Sequence, residues 1–276
     1  MAPTLTPTER TMLVTLLARA RESASYTPLF IDDMALELVR KIPHIADTDT
    51  IDASTHNGVV VRTKVMDELT RDFLSEHPTA IIINLGAGLC TRFYRVDTGA
   101  IDCYNIDLPH ATELRTQLLP PHPRNHNIAA NILDHDWVNT IDAQGRKVLI
   151  IAEGVTMFLT PLQIQHLLNL LSDTFPGARV LLDLLSAKVV GHSMMVKSVH
   201  ATGARFAFGV HDARDITQIE PRMIYIDQIS MARYKETKIP IYKIIKHIPL
   251  IANISNRIGI FDIAHTHLSA RRVGLT

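Results

Sequence analysis

Two glycines separated by one residue, Gly86 and Gly88, close the apolar run AIIINLG where a strand should turn into a helix. Glycine weakens a strand, so a pair at that place marks dihedrals closed to other residues or a partner that approaches the backbone closely. An acid, Asp107, ends the next apolar run 21 positions after Gly86. That interval suits a carboxylate accepting from both hydroxyls of a ribose, with the glycine turn lying bare under the rest of the ligand. A dinucleotide pyrophosphate asks for a third glycine three positions after the second, and Thr91 stands there instead. A nucleoside that carries an amino acid rather than phosphates meets both observations, and S-adenosylmethionine is the common one. A plain tight turn also uses such a pair, and the residues alone leave both readings open.

The elements that must position these groups alternate between two periods. AIIINLG (80–86), AIDCYNID (100–107), NHNIAAN (125–131), KVLIIAE (147–153) and ARVLLDLL (178–185) are short β-rich runs, and RMIYIDQI and NRIGIFDI follow after residue 221. Nearly continuous apolar strands are buried on both faces, which predicts an α/β fold with a doubly wound, mostly parallel seven-stranded sheet. TPLQIQHLLNLLSDTF carries a helix start signal: Thr160 as N-cap, Pro161 at the first helical position and Gln163 three residues after the cap. Leu162, Leu167, Leu170 and Leu171 are its expected apolar stripe. One domain is expected: a helical N-terminal segment (1–76), a cofactor-binding core (77–185), an insertion forming a lid over the sheet's carboxyl edge (186–222), and C-terminal strands with a helix (223–276). In such a sheet ligands bind beyond the carboxyl ends of the strands, where the strand order reverses.

Composition narrows the partners. The chain of 276 residues balances 28 basic against 28 acidic side chains, which gives no field to attract a polyanion and argues against nucleic acid. Two cysteines, Cys90 and Cys103, are too few for a disulfide framework, and MAPTLTPTER lacks the regions of a signal peptide, so a cytoplasmic location is expected. No run of 18 apolar residues predicts a membrane span, although KIPIYKIIKHIPLIANI (238–254) mixes apolar and basic positions as an interfacial helix does. The same pattern fits a helix that covers a pocket.

Five motifs in order, VVVRTKVMDELTRDFL, INLGAGLCTRFYRVD, YNIDLP, ILDHDW and IAEGVTMFL, resemble the leucine carboxyl methyltransferase family. The likeness is to the bacterial branch that includes the tetracenomycin polyketide O-methyltransferases. It extends upstream through TLLARARESASYTPLFIDDMALELV and downstream through GARFAFGVHDARD, covering about Thr15 to Ile263. The resemblance implies a class I methyltransferase with S-adenosylmethionine as cofactor and S-adenosylhomocysteine as product. It places Arg62 on the carboxylate of the cofactor's methionine end, a task suited to a guanidinium fork. Gly86, Ala87 and Gly88 fall under the methionine part, Asp107 at the ribose, Asn131 and Ile132 at adenine, Glu153 at the end of the fourth strand, and Leu108 among the cofactor contacts. A carboxylate there is expensive to bury unpaired, and a sulfonium or amino group would serve as its partner.

Three positions depart from the family pattern. Cys90 stands where an aspartate is usual, Asn105 where a glutamate is usual and Phe158 in place of a common tyrosine. The first two are expected to leave Arg92 and Arg95 short of an acidic partner.

The acceptor is read from chemistry. A carboxylate, with a pKa of about 4, is ionised at neutral pH and needs no base, whereas a phenol near 10 does. Arg19, Arg21 and Arg205 are candidates to hold an acceptor carboxylate, on a small natural product or a peptide C-terminus. His200 and His211 are candidate bases for the alternative, methylation of a phenol or amine. Met194, Met195, Phe206 and Phe208 can line an adaptable apolar pocket. A protein that binds the nucleoside without transferring a methyl is a third reading. HTH (265–267) and the pair His122 and His126 lack a third ligand, so no metal is expected.

Overall fold

A computed structural model describes residues 6–42, 51–190, 202–231 and 256–265. Its centre is a seven-stranded sheet in the order β3-β2-β1-β4-β5-β7-β6. The strands are β1 (Ile81–Leu85), β2 (Asp102–Asp107), β3 (Asn125–Ala129), β4 (Val148–Ala152), β5 (Arg179–Leu184), β6 (Met223–Ser230) and β7 (Arg257–Ile263). The first five run parallel, and β7 inserts antiparallel between β5 and β6. All seven expected strands are present, and the doubly wound, mostly parallel sheet they predict is the one observed.

Every residue of β1 and β4 is buried, as their unbroken apolar sequences require when helices cover both faces. Alternate side chains serve the two layers. Ile81, Ile83 and Leu85 pack on one side with Trp137, Leu167 and Leu171, while Ile82 packs on the other with Val61, Val65 and Met66. Each such side chain contributes about 1.5–3 kcal/mol by leaving water. Truncating Ile83, fully buried between neighbours, to alanine should cost about 2–5 kcal/mol through transfer and cavity terms.

The helices are α1 (Pro7–Ser23), α2 (Asp33–Lys41), α3 (Ala53–Glu76), α4 (Arg92–Val96), α5 (Pro109–Leu118), α6 (Pro161–Thr174) and α7 (Asp215–Ile219). The capping box at Thr160 and Gln163 opens α6 as expected. Of its expected apolar stripe one residue is misplaced: Leu167, Leu170 and Leu171 are buried, together with Ile164 and Leu168, and Leu162 is 78 % exposed. Leu162 precedes Ile164 by two residues, about 200° around the helix, so it faces the opposite side.

Within the expected insertion, Val210 donates its N–H to Leu185 O and Ala207 donates to Met157 O, at 2.9 and 2.8 Å. Ala213 and Ile216 join the main core, so the described part of the segment is fastened beside β5 and the turn after β4. His200, Met194 and Met195 lie outside the described residues, as do residues 238–254 and most of the HTH triplet. Among the described residues no helix is long and apolar enough to cross a membrane, and no group of three metal-ligating side chains is found.

The chain leaves β1 for β2 and β3 on one side, then returns to β4 and β5 on the other. Strand order therefore reverses between β1 and β4, and a crevice opens beyond their carboxyl ends. Leu85 pairs with both Ile106 and Ala152, which brings Gly86, Asp107 and Glu153 to one level at the rim.

Candidate active site

A cavity of about 210 Å³ occupies this crevice. Its floor is the loop Gly86, Ala87 and Gly88 with Asp107, Leu108, Asn131 and Ile132 on one flank, and Arg62, Glu153 and Gly154 on the other. The structure thus brings together all nine residues that the resemblance assigned to the cofactor.

The glycine loop has φ of +60° at Gly86 and +46° at Gly88, the left-handed region that disfavours side chains. Space forbids them as well: a Cβ on Gly86 would overlap Val155 Cγ2, and one on Gly88 would sit 3.0 Å from Met12 Cβ. Beneath the loop Arg115, buried on α5, donates from Nη1 to Gly88 O at 3.0 Å and to Cys90 O at 2.6 Å. These two bonds fix the carbonyls downward and leave the upper face of the loop to the cavity.

Asp107 accepts from Gly88 N at 2.6 Å through Oδ2 and from Leu108 N at 2.7 Å through Oδ1. Each oxygen keeps a further lone pair, the arrangement a pair of vicinal hydroxyls requires. Burial pushes this carboxyl above its ordinary range, and the two backbone N–H groups offset only part of the push. Beside it Leu108 is 41 % exposed, an apolar side chain at the cavity edge.

Arg62, from α3, reaches under the opposite rim. Its Nε donates to Glu153 Oε1 at 2.9 Å and its Nη1 to Asp183 Oδ2 at 3.0 Å. Nη2 makes no hydrogen bond among the described residues, and it lies 3.6 Å from the position of a Cβ on Gly154. Burial would lower the guanidinium, but Asp183 and Glu153 hold it above its ordinary value, so it remains a cation. Asp183 Oδ2 also accepts from Gly154 N at 3.0 Å, whereas its Oδ1 is buried without a partner. Burial therefore pushes the Asp183 carboxyl up despite Arg62.

Glu153 differs from expectation in its partners. Its second oxygen accepts from Arg92 Nη2 at 2.5 Å, so two guanidinia satisfy it before any ligand arrives. Burial alone would raise its carboxyl, yet Arg92 and Arg62 hold it well below the usual range. The expected shortage around Arg92 and Arg95 is likewise corrected. Asp67, on α3, accepts from Arg92 Nε at 2.9 Å and Arg95 Nε at 2.6 Å, and Asp32 accepts from Arg95 Nη1 at 2.6 Å. α3 and the N-cap position of α2, both before the sheet in sequence, supply these acids. Cys90 stays at the margin of the network, with Sγ 3.7 Å from Arg92 Nη1. Asn105 finds amide partners in its own sheet, bonding Asn84 at 3.3 Å and Asn125 at 2.7 Å.

The candidate acceptor residues fare unevenly. Arg19 lines the cavity but is 4 % exposed, and it spends Nε on Asp32 at 3.1 Å and Nη2 on Leu89 O at 2.7 Å. It ties α1 to the glycine loop, which leaves it little to offer an acceptor. Arg21, Arg205 and His211 are exposed and do not line the cavity. His211 instead gives its carbonyl to Arg257 Nη1 at 2.7 Å. No described residue of the insertion lines the cavity either. Its cover comes from α1, through Thr8, Glu9, Thr11, Met12 and Thr15, with Phe158 and Leu159 opposite. Phe206 meets Phe158 ring to ring at 5.8 Å and so buttresses that wall from outside.

Sequence reasoning missed Asp32, Asp67, Asp183, Glu9 and Arg115. Only Asp183 gave a signal, being an acid inside the apolar run ARVLLDLL.

The family model for leucine carboxyl methyltransferase matches residues 12–172. The tetracenomycin polyketide synthesis O-methyltransferase TcmP of Streptomyces glaucescens is 30 % identical over 230 residues, which cover 82 % of this chain and 84 % of that protein. An S-adenosyl-L-methionine-dependent methyltransferase of Gibberella zeae, dpfgK, is 25 % identical over 248 residues, covering 82 % and 83 % of the two chains. Among solved structures, magnesium protoporphyrin IX methyltransferase of Synechocystis with bound S-adenosylhomocysteine shares the fold at a TM-score of 0.51 and 10 % identity, covering 84 % of this chain and all of that one. The family match and these relatives lead to one conclusion: the chain is an S-adenosylmethionine-dependent methyltransferase and belongs to the leucine carboxyl methyltransferase family.

Proposed function

We propose that the protein forms a methyl ester on a carboxylate of a small molecule or of a peptide C-terminus. The cofactor supplies an activated methyl group on a sulfonium, whose transfer is an in-line displacement. In this reading Asp107 accepts from the ribose, Leu108 and Ile132 flank the adenine with Asn131, and the free Nη2 edge of Arg62 meets the methionine carboxylate. Glu153 and Asp183 hold Arg62 in that pose and so act one contact removed from the ligand. The acceptor enters under α1, against Thr8, Thr11, Thr15 and Phe158.

One observation carries the choice of a carboxylate. Among the described residues that line the cavity there is no histidine, lysine or tyrosine. The acids present are poor partners for a phenol, because a carboxylate of about 4 and a phenol of about 10 lie some six units apart. An ionised carboxylate needs no proton removed, so the chain's task reduces to holding oxygen and methyl about 3–3.5 Å apart in line.

The test is mass spectrometry of candidate acids and their phenolic analogues after incubation with protein and S-adenosylmethionine. The expected product gains one methyl and loses it on mild alkaline treatment, as an ester does. A methylated product that resists alkali, formed from the phenols and not from the acids, would refute ester formation.

A further inference from the structure

Glu9 has no place in the roles assigned so far, and it lies outside the family match, which begins at Met12. It is the third residue of α1 and forms a capping box with Thr6. Its Oε2 accepts from Thr6 N at 2.7 Å, whereas Oε1 accepts no hydrogen bond among the described residues. The residue is 7 % exposed and lines the cavity. Met12, three residues on, is the contact between α1 and Gly88, and Gly88 in turn bonds Asp107. Glu9 therefore stands about one helical turn from the point where α1 touches the ribose end of the site. Its charge acts on Asp107 and adds to the upward push of burial on that carboxyl.

Two carboxylates thus share one small space and repel each other. Hydrogen-bond donors placed between them would relieve that cost, and a charge-assisted bond from a hydroxyl to each is the strong kind. A ribose offers two hydroxyl hydrogens. We propose that Glu9 is a second ribose-binding carboxylate, so that Asp107 takes one sugar hydroxyl from below, Glu9 takes the other from above, and α1 is drawn down on the bound nucleoside. The inference rests on the reading that this cavity takes S-adenosylmethionine with its ribose at Asp107. It refines the expectation that Asp107 takes both hydroxyls alone.

The capping box makes a clean test available. Glutamine serves at the third position of the box as glutamate does, with its single carbonyl oxygen retained by Thr6 N–H. In Glu9→Gln the atom not held by Thr6 changes from an acceptor to an NH₂ donor, while the helix start is kept. Titration calorimetry with S-adenosylhomocysteine and its 2′-deoxy and 3′-deoxy analogues is measured on wild type, Glu9→Gln and Thr6→Ala. Glu9→Gln should bind S-adenosylhomocysteine about tenfold more weakly. One deoxy analogue should bind wild type and Glu9→Gln alike, and the other should show the full difference. Thr6→Ala, which loses half of the cap and keeps the carboxylate, should stay within about twofold of wild type.

The proposal is overturned if Glu9→Gln matches wild type, if the difference persists equally with both deoxy analogues, or if Thr6→Ala loses as much as Glu9→Gln. A wild type that gives no heat with S-adenosylhomocysteine overturns the underlying site reading as well. Binding by wild type with no effect of Glu9→Gln overturns only the role of Glu9.

Discussion

Replacing Arg62 with methionine separates its two roles, because the residues that hold it differ from those it serves. Arg62 is the sole cation bonded to Asp183 among the described residues, and Asp183 is fully buried with one oxygen already unpartnered. Removing one member of a buried pair and leaving the other charged costs about 3–5 kcal/mol. Glu153 adds less, because Arg92 still bonds it. The expected loss for Arg62→Met is therefore about 3–5 kcal/mol, or roughly 6–20 °C in Tm for a domain of this size. Asp183→Asn introduced into that variant removes the stranded charge and should recover at least half of the loss. Cofactor affinity should not recover, since Nη2 is gone in both variants; we expect S-adenosylhomocysteine to bind at least tenfold more weakly in each. Urea unfolding without ligand reads the first effect and calorimetry reads the second. A loss under about 1 kcal/mol for Arg62→Met, or losses at Arg62 and Asp183 that simply add, would refute the assignment of Asp183 as the group that holds Arg62.

Further outcomes follow from the loop and from the shifted carboxyls. Gly86→Ala combines a left-handed φ with overlap on Val155, so it should cost about 2–4 kcal/mol, whereas Gly99→Ala, with φ +95° and nothing within 4 Å, should cost about 1–2 kcal/mol; chemical denaturation of both variants checks the difference. Because burial raises the Asp107 carboxyl, its ionised acceptor form is lost on acidification before exposed carboxylates titrate. S-adenosylhomocysteine affinity should therefore begin to fall at a pH above the ordinary carboxylate value of about 4, and an affinity flat down to that value would contradict this. Glu153 and Asp32 are held below their ordinary range, so the stability they contribute is present at neutral pH. It is lost as pH falls below about 4 through their folded values, which acid unfolding curves of Glu153→Gln against wild type should show as a reduced pH dependence.

Much of the fold was legible because a parallel sheet buried on both faces has to be written in continuous apolar runs. All seven strands were expected, yet only β1, β4, β5 and β7 are buried as such runs imply, whereas β3 and β6, at the sheet edges, are largely half-buried or exposed; the capping box marked the start of α6 to the residue. The stripe of α6 was misread at Leu162 because leucines were counted without turning the helix through its 3.6-residue period. Cofactor residues were legible where a local reason compels the residue type, as at Gly86 and Asp107, and Arg62 only through the resemblance. What stayed hidden was pairing over long separations. Nothing near Arg92 or Arg95 reveals that Asp67, on α3, and Asp32, the N-cap of α2, will meet them. Arg19 looked like a free cation beside the active edge, and only the packing of α1 on the glycine loop shows that it is tied to Asp32 and Leu89. Glu9 carries no signal in the sequence, and only the cavity it lines singles it out.

The central claim is that the crevice beyond β1 and β2 grips the nucleoside of S-adenosylmethionine through Asp107. Calorimetric titration of S-adenosylhomocysteine into wild type and Asp107→Asn tests it most directly, since the amide has one acceptor oxygen where the carboxylate has two. Saturable heat with wild type and affinity reduced at least tenfold in a variant that still unfolds cooperatively is the result expected. No binding by wild type, or equal binding by both, would contradict it.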